Sequence, residues 1–456
     1  MRSTEDSHAA CRRLLLIAYA FPPAGGVLVQ RALAMARHLP AHGFEVTVLT
    51  ARNPAVASRD EGLLSRIPPS VQVVRVFTPE PPFRLRQWFW RRLKAGSPGG
   101  GCEVSATQPG WKQQAAGLVQ RLFSPEPEVW WVPFGLRAAR RLHRQRNFHA
   151  VVVTCPPFSL FLIGNALKRE FPELMLTSDF RDAWIGFYTE RLDYHTSDPA
   201  RKRAKHIEAE TVQLSDLVTT ATVSWRDMMR GRYTEEDPAK IVCIPNGYEP
   251  DEIGPLAAQD APRKPKDRVV LAHFGTLFGH ATPKHLLDAM ESLPAALRAR
   301  CELHFAGRIT EDQQPLLENR GVAIRILGFL SHAEAMQRMR ESDILLVLNT
   351  DPHCQTGKVF EYLAAGRPIV ALTPPGGEVE RILLDTGAGR CANPWDQKAA
   401  ATLLQSAIED ALRGAPFSPD VERIRRYERP RLIAGLAELL HQKLETGRQR
   451  TSRGDS

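Results

Sequence analysis

Lys358 and Glu361 lie three residues apart in a polar stretch between two apolar runs. The runs, residues 344–348 and 369–372, are typical of buried strands, and Gly357 precedes a short predicted helix that carries both charged side chains. In such a strand–loop–helix–strand unit the loop lies at the carboxyl edge of a parallel sheet, where backbone N–H groups favour an anion. Lys358 adds positive charge, whereas the Glu361 carboxylate is suited to accept hydrogen bonds from sugar hydroxyls. A group that binds phosphate next to a group that binds sugar hydroxyls indicates a nucleotide sugar as the ligand.

A second loop, with Gly25 and Gly26, follows the first apolar run at residues 14–20. Residues 30–39 are predicted to be helical and residues 45–50 to form the next strand, which makes a βαβ opening. A dinucleotide site would require G-x-G-x-x-G and an acidic residue at the end of the second strand, and the sequence has neither. NAD binding is therefore disfavoured. The paired glycines indicate either a close approach of backbone to a ligand or another domain, or a plain strand-to-helix turn.

Asp179, Arg181 and Asp182 follow a predicted strand at residues 174–177, at a carboxyl edge where the ligands of α/β proteins collect. A metal held by the two aspartates is one interpretation. No histidine or third carboxylate follows at ligand spacing, however, so an ion pair is favoured. We expect Arg181 to pair with one carboxylate while the other faces the cleft.

The composition is that of a globular protein, and a chain of 456 residues is too long for one ordinary hydrophobic core. We therefore expect two or more domains. The net charge of +9 and pI near 9.3 favour anionic partners: nucleotide phosphates, nucleic acid or an acidic membrane surface. The seven cysteines are scattered without a C-x-x-C pair, which predicts free thiols in a reducing compartment. We find no signal peptide and no apolar run of ~18–20 residues, so we expect a cytoplasmic protein.

Residues 84–94 interleave basic and aromatic side chains, among them Trp88, Phe89 and Trp90. Such a segment could rest on an anionic bilayer, which would place the protein at the inner face of the cytoplasmic membrane. The alternative is a mobile loop with a few buried aromatic rings. No nucleic-acid recognition module frames the segment, so we expect no nucleic-acid partner.

The two halves of the chain both alternate strands and helices, on either side of a Pro/Ala/Lys-rich stretch without periodicity. We place the linker at residues 255–267, with one domain at residues 1–255 and the other at residues 265–420. Helix 421–445 is expected to pack back on the first domain, and residues 446–456 to form a disordered tail. The predicted fold is α/β, with two Rossmann-like, doubly wound parallel-sheet domains facing across a cleft.

With these motifs assembled, the chain resembles the retaining GT-B glycosyltransferases of family 4, the group 1 type. The resemblance covers roughly residues 13–445. Its four motifs are F-P-P-A-G-G-V-L-V-Q-R after the first strand, S-D-F-R-D-A-W, I-P-N-G-Y and K-V-F-E-Y-L-A-A-G-R-P-I-V-A. In this order and spacing the combination is specific, although the first three are weak singly.

The resemblance implies that the second domain holds the nucleotide sugar. Glu361 matches the second, ribose-contacting glutamate of the family's paired-glutamate motif, whereas His353 stands where the first glutamate is expected. A neutral imidazole can hydrogen-bond the transferred sugar but does not stabilise positive charge at its anomeric carbon. Lys284 lies where the family has a diphosphate-binding lysine. The position of the accompanying arginine is empty, and Arg308 and Lys358 are candidates to compensate.

The remaining assignments follow from the same resemblance. Gly25 and Gly26 correspond to the family's N-terminal loop near the phosphates and acceptor, and Gly275 belongs with Gly357 to the donor-binding loops. Asp182, or else Asp179, would orient the acceptor hydroxyl or the donor. Lys284 and His353 complete the catalytic set.

The implied reaction moves a sugar from a nucleotide-diphosphate sugar to a glycan or lipid-linked acceptor with retention, in cell-envelope polysaccharide assembly. It requires no cofactor and no metal, because cations and backbone N–H groups stabilise the departing diphosphate. Two alternatives stay open: a nucleotide-sugar epimerase of the same fold, favoured by His353, and a catalytically degenerate, glycosyltransferase-like binding protein.

Overall fold

Two parallel β-sheets, each in its own unit of the chain, form the framework of the protein. The computed structural model describes residues 11–56, 59–79, 126–189, 198–253, 264–354 and 357–454. The first unit comprises the chain up to Ala221, Trp225–Ile244 and the chain from Ile433 onward, and the second comprises Thr222–Ser224 and Pro245–Leu432. The second unit thus begins before the predicted linker, of which residues 254–263 lie outside the described part.

Among the described residues, seven strands form the sheet of the first unit in the order β3-β2-β1-β4-β5-β6-β7, all parallel. They are β1 (Arg12–Ile17), β2 (Phe44–Ala51), β3 (Gln72–Val76), β4 (Ala150–Cys155), β5 (Met175–Phe180), β6 (Leu217–Thr220) and β7 (Ile241–Cys243). The helices between them are α1 (Val27–His38), α2 (Val132–Arg146), α3 (Phe161–Glu170), α4 (Asp198–Leu214) and α5 (Val223–Arg232).

The sheet of the second unit has six described strands in the order β10-β9-β8-β11-β12-β13, again parallel. They are β8 (Val269–Phe274), β9 (Cys301–Ala306), β10 (Ala323–Gly328), β11 (Ile344–Leu348), β12 (Ile369–Leu372) and β13 (Gly389–Ala392). The helices are α6 (Pro250–Ile253), α7 (Lys284–Glu291), α8 (Ala295–Arg298), α9 (His332–Glu341), α10 (Lys358–Ala365), α11 (Glu378–Thr386), α12 (Gln397–Arg413) and α13 (Val421–Arg425). The predicted doubly wound α/β class is confirmed for both units.

The central strands are buried on both faces, which explains their unbroken apolar runs. In the first unit β4 is buried along its whole length, and in the second unit β11 is buried likewise. Apolar side chains on one face of the second sheet pack against α7 and α12, and those on the other face pack against α9, α10 and α11. These layers fix the carboxyl ends of the strands, where the loops of interest begin.

The last helix, α14, runs from Arg429 to Gly454. Ile433, Leu436, Ala437 and Leu440 are buried in the core of the first unit. The prediction of a disordered tail from residue 446 is wrong for the described residues, because the helix continues through them. Residues 446–454 include three arginines and a glutamine, which have good helix propensity, and adding residues to an existing helix avoids the cost of nucleating a new one.

Among the described residues, none of the helices combines the length and hydropathy that crossing a membrane requires.

Candidate donor site and the first-unit loops

Three glycine-containing loops meet at the carboxyl edge of the second sheet. Gly307 donates its N–H to the carbonyl of Gly328 at 2.7 Å, and Leu277 donates to the carbonyl of Arg308 at 2.8 Å. Gly307 has φ of +120°, and a Cβ on it would lie 2.4 Å from the carbonyl oxygen of Gly275. Only glycine fits such a close approach of two loops. The ends of β8, β9 and β10 therefore form one hydrogen-bonded surface.

Arg308 and Phe329 lie exposed on this surface, after β9 and β10. The guanidinium of Arg308 makes no ion pair or hydrogen bond with the described residues, so its charge is available to a ligand. The Phe329 side chain is 84% exposed, the highest value among the exposed large apolar residues of the described chain. Because Gly307 and Gly328 join the two loops, the cation and the aromatic ring occupy neighbouring strand ends.

Lys358 and Glu361 lie in the first turn of α10, as predicted, and they form an ion pair. The Lys358 Nζ is 2.7 Å from Glu361 Oε2, and both side chains are partly buried. Gly357 is the residue before the helix, and no side chain of the described residues caps the first backbone N–H groups. These donors and the Lys358 ammonium therefore form an electropositive helix end with a carboxylate beside it.

Helix α10 is attached to the end of β8 by Tyr362. The hydroxyl oxygen of Tyr362 accepts a hydrogen bond from the N–H of Phe274 at 2.7 Å, and the two rings contact edge to face. Tyr362 is buried, and burial raises the pKa of its hydroxyl above the ordinary value. Its phenol stays neutral, and Lys358 and Glu361 are held next to the Gly275 loop.

His273, the penultimate residue of β8, is a buried polar group that belongs to the same edge. Its Nδ1 lies 3.0 Å from the carbonyl oxygen of Leu346, so Nδ1 carries the proton and donates. Its Nε2 is buried and has no hydrogen-bond partner among the described residues. Burial, opposed by the bond to Leu346 and reinforced by the charge of Lys358, lowers the pKa of His273 to about 4. The ring is therefore a neutral acceptor near Gly275.

The loop after β11 is folded by its own polar side chains. Asn349 Nδ2 donates to the carbonyls of Asp351 and Cys354 at 2.8 and 2.9 Å, and both Asn349 and Asp351 are buried. The Asp351 Oδ1 accepts the N–H of His353 at 2.9 Å. These bonds fix the backbone at His353, whose half-buried imidazole has an Nδ1 without a partner among the described residues. A hydrogen-bonding group thus faces inward at the place where a glutamate was expected.

Lys284 begins helix α7, and its ammonium forms an ion pair with Asp288 at 2.6 Å, one turn further along. The predicted diphosphate contact therefore competes with a partner on its own helix. Asp288 lies 3.8 Å from Arg320 as well, so two cations share this carboxylate. Of the predicted cations, Arg308 has no ion-pair partner within the described part of the chain, whereas Lys284 and Lys358 are in ion pairs.

Gly25 and Gly26 lie in the first unit, between β1 and α1. Gly26 has φ of +85° and is the residue before the helix. L-residues with side chains rarely adopt this conformation, so the glycine is required by the turn itself. The geometry fits the plain strand-to-helix turn that the sequence left open as one interpretation, and the exposed Gly26 N-terminal to α1 leaves room for a ligand contact as well.

Asp179 lies in β5 and is completely buried within a polar network. Its carboxylate accepts three hydrogen bonds from Arg31 of α1, at 2.8, 2.9 and 3.1 Å, and others from the hydroxyls of Thr154 and Thr219. Burial would raise the pKa of Asp179, but the charge of Arg31 and these hydrogen bonds outweigh it and lower the pKa. Asp179 therefore anchors α1 and is not available to a ligand.

Among the described residues Arg181 does not pair with a carboxylate, contrary to our expectation. Its guanidinium donates to the carbonyl oxygens of Cys155 and Leu28, at 3.2 and 2.5 Å, and to that of Pro156 at 3.1 Å. The end of β4, the turn after it and the first turn of α1 offer their carbonyls to Arg181, while Arg31 already holds Asp179. Asp182, which follows, is partly buried, and it remains the predicted acceptor-side carboxylate.

Among the described residues, no group of three or more His, Cys, Asp or Glu side chains has metal-site geometry. The segment 84–94, with its aromatic and basic side chains, lies outside the described part of the chain, so its predicted membrane contact stays a prediction.

His273, Phe329 and Arg31 were missed by the sequence-based reasoning. His273 is the polar residue in the otherwise apolar strand V-V-L-A-H-F, which is a signal that could have found it. Phe329 directly follows the strand-ending Gly328, in a position equivalent to that of Arg308 after Gly307. Arg31 gives no such signal, because its buried partner is 148 residues away.

A family model matches the part of the chain that contains the second sheet. Residues 257–429 match the family model of the Glycosyl transferases group 1. The probable glycosyltransferase WbjE of Pseudomonas aeruginosa is 27% identical over 192 residues, which are 40% of this chain and 48% of that protein. The chain thus spans about half the length of this curated relative.

Solved structures resemble nearly the whole chain. Sucrose-phosphate synthase from Thermosynechococcus elongatus has a TM-score of 0.63 at 14% identity, over 95% of this chain and 100% of that one. Anabaena Alr3699/HepE in complex with UDP and glucose has a TM-score of 0.55 at 16% identity, over 94% and 100%. The lipopolysaccharide-biosynthesis glycosyltransferase WaaG gives 0.55 at 16%, over 93% and 99%. At these identities the likeness shows the fold, which is of the GT-B type with two Rossmann-like domains.

Proposed function

We propose that the protein is a glycosyltransferase that moves a sugar from a nucleotide-diphosphate sugar to a glycan or lipid-linked acceptor. The observation that carries the proposal is the carboxyl edge of the second sheet. It combines the Lys358–Glu361 pair at a helix start with the unpaired Arg308, within the stretch that matches the group 1 family. Retention of configuration and a role in cell-envelope polysaccharide assembly are parts of this proposal.

Different residues of the second unit bind different parts of the nucleotide-sugar donor. Arg308, the N–H groups at the start of α10 and Lys358 take the diphosphate, because each is a donor or a cation at the sheet edge. Glu361 accepts hydrogen bonds from the ribose hydroxyls. Phe329 offers its exposed face to the nucleobase, with which an aromatic ring stacks whatever the base.

Catalysis in this proposal relies on stabilising the charge that develops on the departing diphosphate. His353 hydrogen-bonds the transferred sugar through its imidazole, which the loop around Asp351 holds in place. Lys284 joins the diphosphate when it exchanges Asp288 for a phosphate oxygen. In the first unit, Gly25, Gly26 and Asp182 serve the acceptor. No step requires a metal or a cofactor.

A second candidate is epimerisation of a nucleotide sugar, and one specific observation favours it. The Nδ1 of His353 and the Nε2 of His273 are both buried without a partner among the described residues, and imidazoles of this kind can transfer protons. The low pKa of His273 counts against it as a proton donor near neutral pH. Transfer is therefore the better supported of the two.

Incubation with radiolabelled UDP-glucose, GDP-mannose and dTDP-glucose, together with a bacterial membrane lipid extract, tests the proposal. Label that enters the lipid or glycan fraction, and is lost with Arg308→Ala, supports transfer. Label that stays in a free nucleotide sugar whose sugar has been epimerised would contradict transfer and support epimerisation. Calorimetric binding of a nucleotide sugar without any turnover would instead favour a degenerate binding protein.

A further inference from the structure

Helix α2 of the first unit presents a face that none of the proposed donor chemistry uses. Phe134, Arg137, Arg141 and Arg144 of α2 recur at spacings of three, four and three residues, and Trp130, in the short 3-10 helix Pro127–Trp131 that leads into α2, precedes Phe134 by four. These five form one stripe, here called the aromatic–arginine face. All five are exposed, with Trp130 at 40% and Phe134 at 45%. From Phe134 to Arg144 the stripe extends over ~15 Å.

The opposite side of α2 fixes the orientation of this face. Gly135, Ala139, Leu142 and His143 are buried. A Cβ on Gly135 would lie 2.8 Å from Ile163 Cδ1 of α3, which shows how closely the two helices pack. Because the opposite side of α2 packs tightly against the core, the aromatic–arginine face points to solvent in the folded protein.

The charge of α2 is entirely positive. The helix contains five arginines and no aspartate or glutamate. Arg140 and Arg144 share Glu170, and Arg146 pairs with Glu45, whereas Arg137 and Arg141 have no ion-pair partner among the described residues. Two uncompensated guanidinium groups thus lie beside two half-exposed aromatic rings.

We propose that the aromatic–arginine face docks the protein onto an anionic lipid bilayer, with α2 lying in the plane of the interface. Exposed aromatic rings gain by entering the boundary between headgroups and acyl chains, and guanidinium groups bind the phosphates of acidic lipids. The net charge of +9 has the sign that such a surface attracts. A nucleic acid would satisfy the arginines, but an exposed phenylalanine beside them gains more from lipid. The inference does not depend on the proposed glycosyl transfer.

Vesicle sedimentation of the full chain tests the docking. The wild type is expected to bind vesicles of phosphatidylcholine with 30% phosphatidylglycerol, and to bind pure phosphatidylcholine vesicles at least tenfold more weakly. Arg137→Gln/Arg141→Gln should weaken binding to the anionic vesicles by about tenfold, and Phe134→Ala by several-fold. All these side chains are exposed, so circular dichroism should show unchanged folding.

Matched variants decide whether this face or the overall charge is responsible. Lys202→Gln/Arg203→Gln removes the same charge from the exposed part of α4, and Trp395→Ala removes an exposed ring from the second unit. Both controls should bind as the wild type does. Equal losses in the controls, or no vesicle binding by the wild type, would overturn the proposal, as would displacement of the protein from vesicles by a tighter-binding RNA oligonucleotide. Nucleotide-sugar binding by calorimetry should be unaffected in Arg137→Gln/Arg141→Gln, which separates this test from that of the proposed transfer.

Discussion

The ammonium of Lys358 and the carboxylate of Glu361 lie 2.7 Å apart, one turn along the same helix. The Lys358 cation would otherwise hold a phosphate, and the Glu361 anion would otherwise accept sugar hydroxyls. Both side chains are partly exposed, so their mutual attraction is weak enough for a ligand to replace it. The pair keeps each side chain in the direction that a nucleotide sugar requires.

Replacement of Glu361 by glutamine should weaken nucleotide-sugar binding by roughly tenfold or more. Glutamine has the same shape as glutamate but no charge, so the ribose hydroxyls lose a charged hydrogen-bond acceptor. Titration calorimetry with UDP-glucose, GDP-mannose and dTDP-glucose measures the change, and the sugar that binds the wild type is then used throughout. Glu341→Gln, on the exposed end of α9, is the matched control and should change nothing. Unaltered affinity in Glu361→Gln would refute the ribose role.

Phe329→Ala should weaken binding of the nucleotide about tenfold, since base–aromatic stacking contributes ~1–3 kcal/mol. Phe329→Trp should retain or improve the affinity. Inorganic pyrophosphate, which has no base, should bind the wild type and Phe329→Ala equally well. Ile326→Ala removes an exposed apolar side chain from the edge strand β10, which ends just before Phe329, and serves as control. If Ile326→Ala and Phe329→Ala lose affinity alike, the ring has no specific partner.

The sequence predicts the strand order of neither sheet, but it predicts most of the elements. The apolar runs of the central strands are continuous because both faces are buried, and this makes them visible in one dimension. The Lys358–Glu361 pair was found because both partners lie in one short motif. The Arg31–Asp179 pair was not, because its partners meet only when α1 packs on the sheet. The hydrogen bond of the buried His273 could not be predicted either, because its partner, Leu346, lies in β11, which neighbours β8 in the sheet and not in the sequence.

The pH dependence of stability should reveal His273. Its pKa is about 4 in the folded protein, against an ordinary value of 6.5. The unfolded chain therefore binds more protons, and the contribution of His273 to stability is complete above pH 6.5 and falls as the pH drops towards 4. At pH 5 the expected loss is about 2 kcal/mol relative to pH 7.

Urea unfolding at pH 7 and pH 5 checks this for the wild type and for His273→Asn. The asparagine amide can still donate to the Leu346 carbonyl but does not titrate in this range. Other histidines, such as His143, whose pKa burial also lowers, contribute equally to both proteins. The difference between the two pH dependences therefore belongs to His273. Parallel losses in both proteins would contradict the assignment.

Asp179→Asn should destabilise the first unit by about 3–5 kcal/mol, because it removes the buried carboxylate charge to which the Arg31 guanidinium donates. Glu170→Gln, which removes the surface partner of Arg140 and Arg144, should cost less than about 1 kcal/mol. Thermal and urea unfolding measure both changes. An equal cost for the two substitutions would mean that Arg31 and Asp179 contribute no more than a surface pair.

The double variant Arg31→Met/Asp179→Leu distinguishes the two ways in which this pair can act. If the loss in Asp179→Asn comes from removing the negative charge beside the buried guanidinium of Arg31, replacing both residues by apolar side chains should recover much of the stability. Because Arg31 lies in α1, just after the turn at Gly25 and Gly26, the pair also positions that loop. A double variant that is stable but has lost turnover would show that the ion pair serves the loop. A double variant that recovers both stability and turnover would show that the fold requires side chains of this volume at the two positions and does not require their charges.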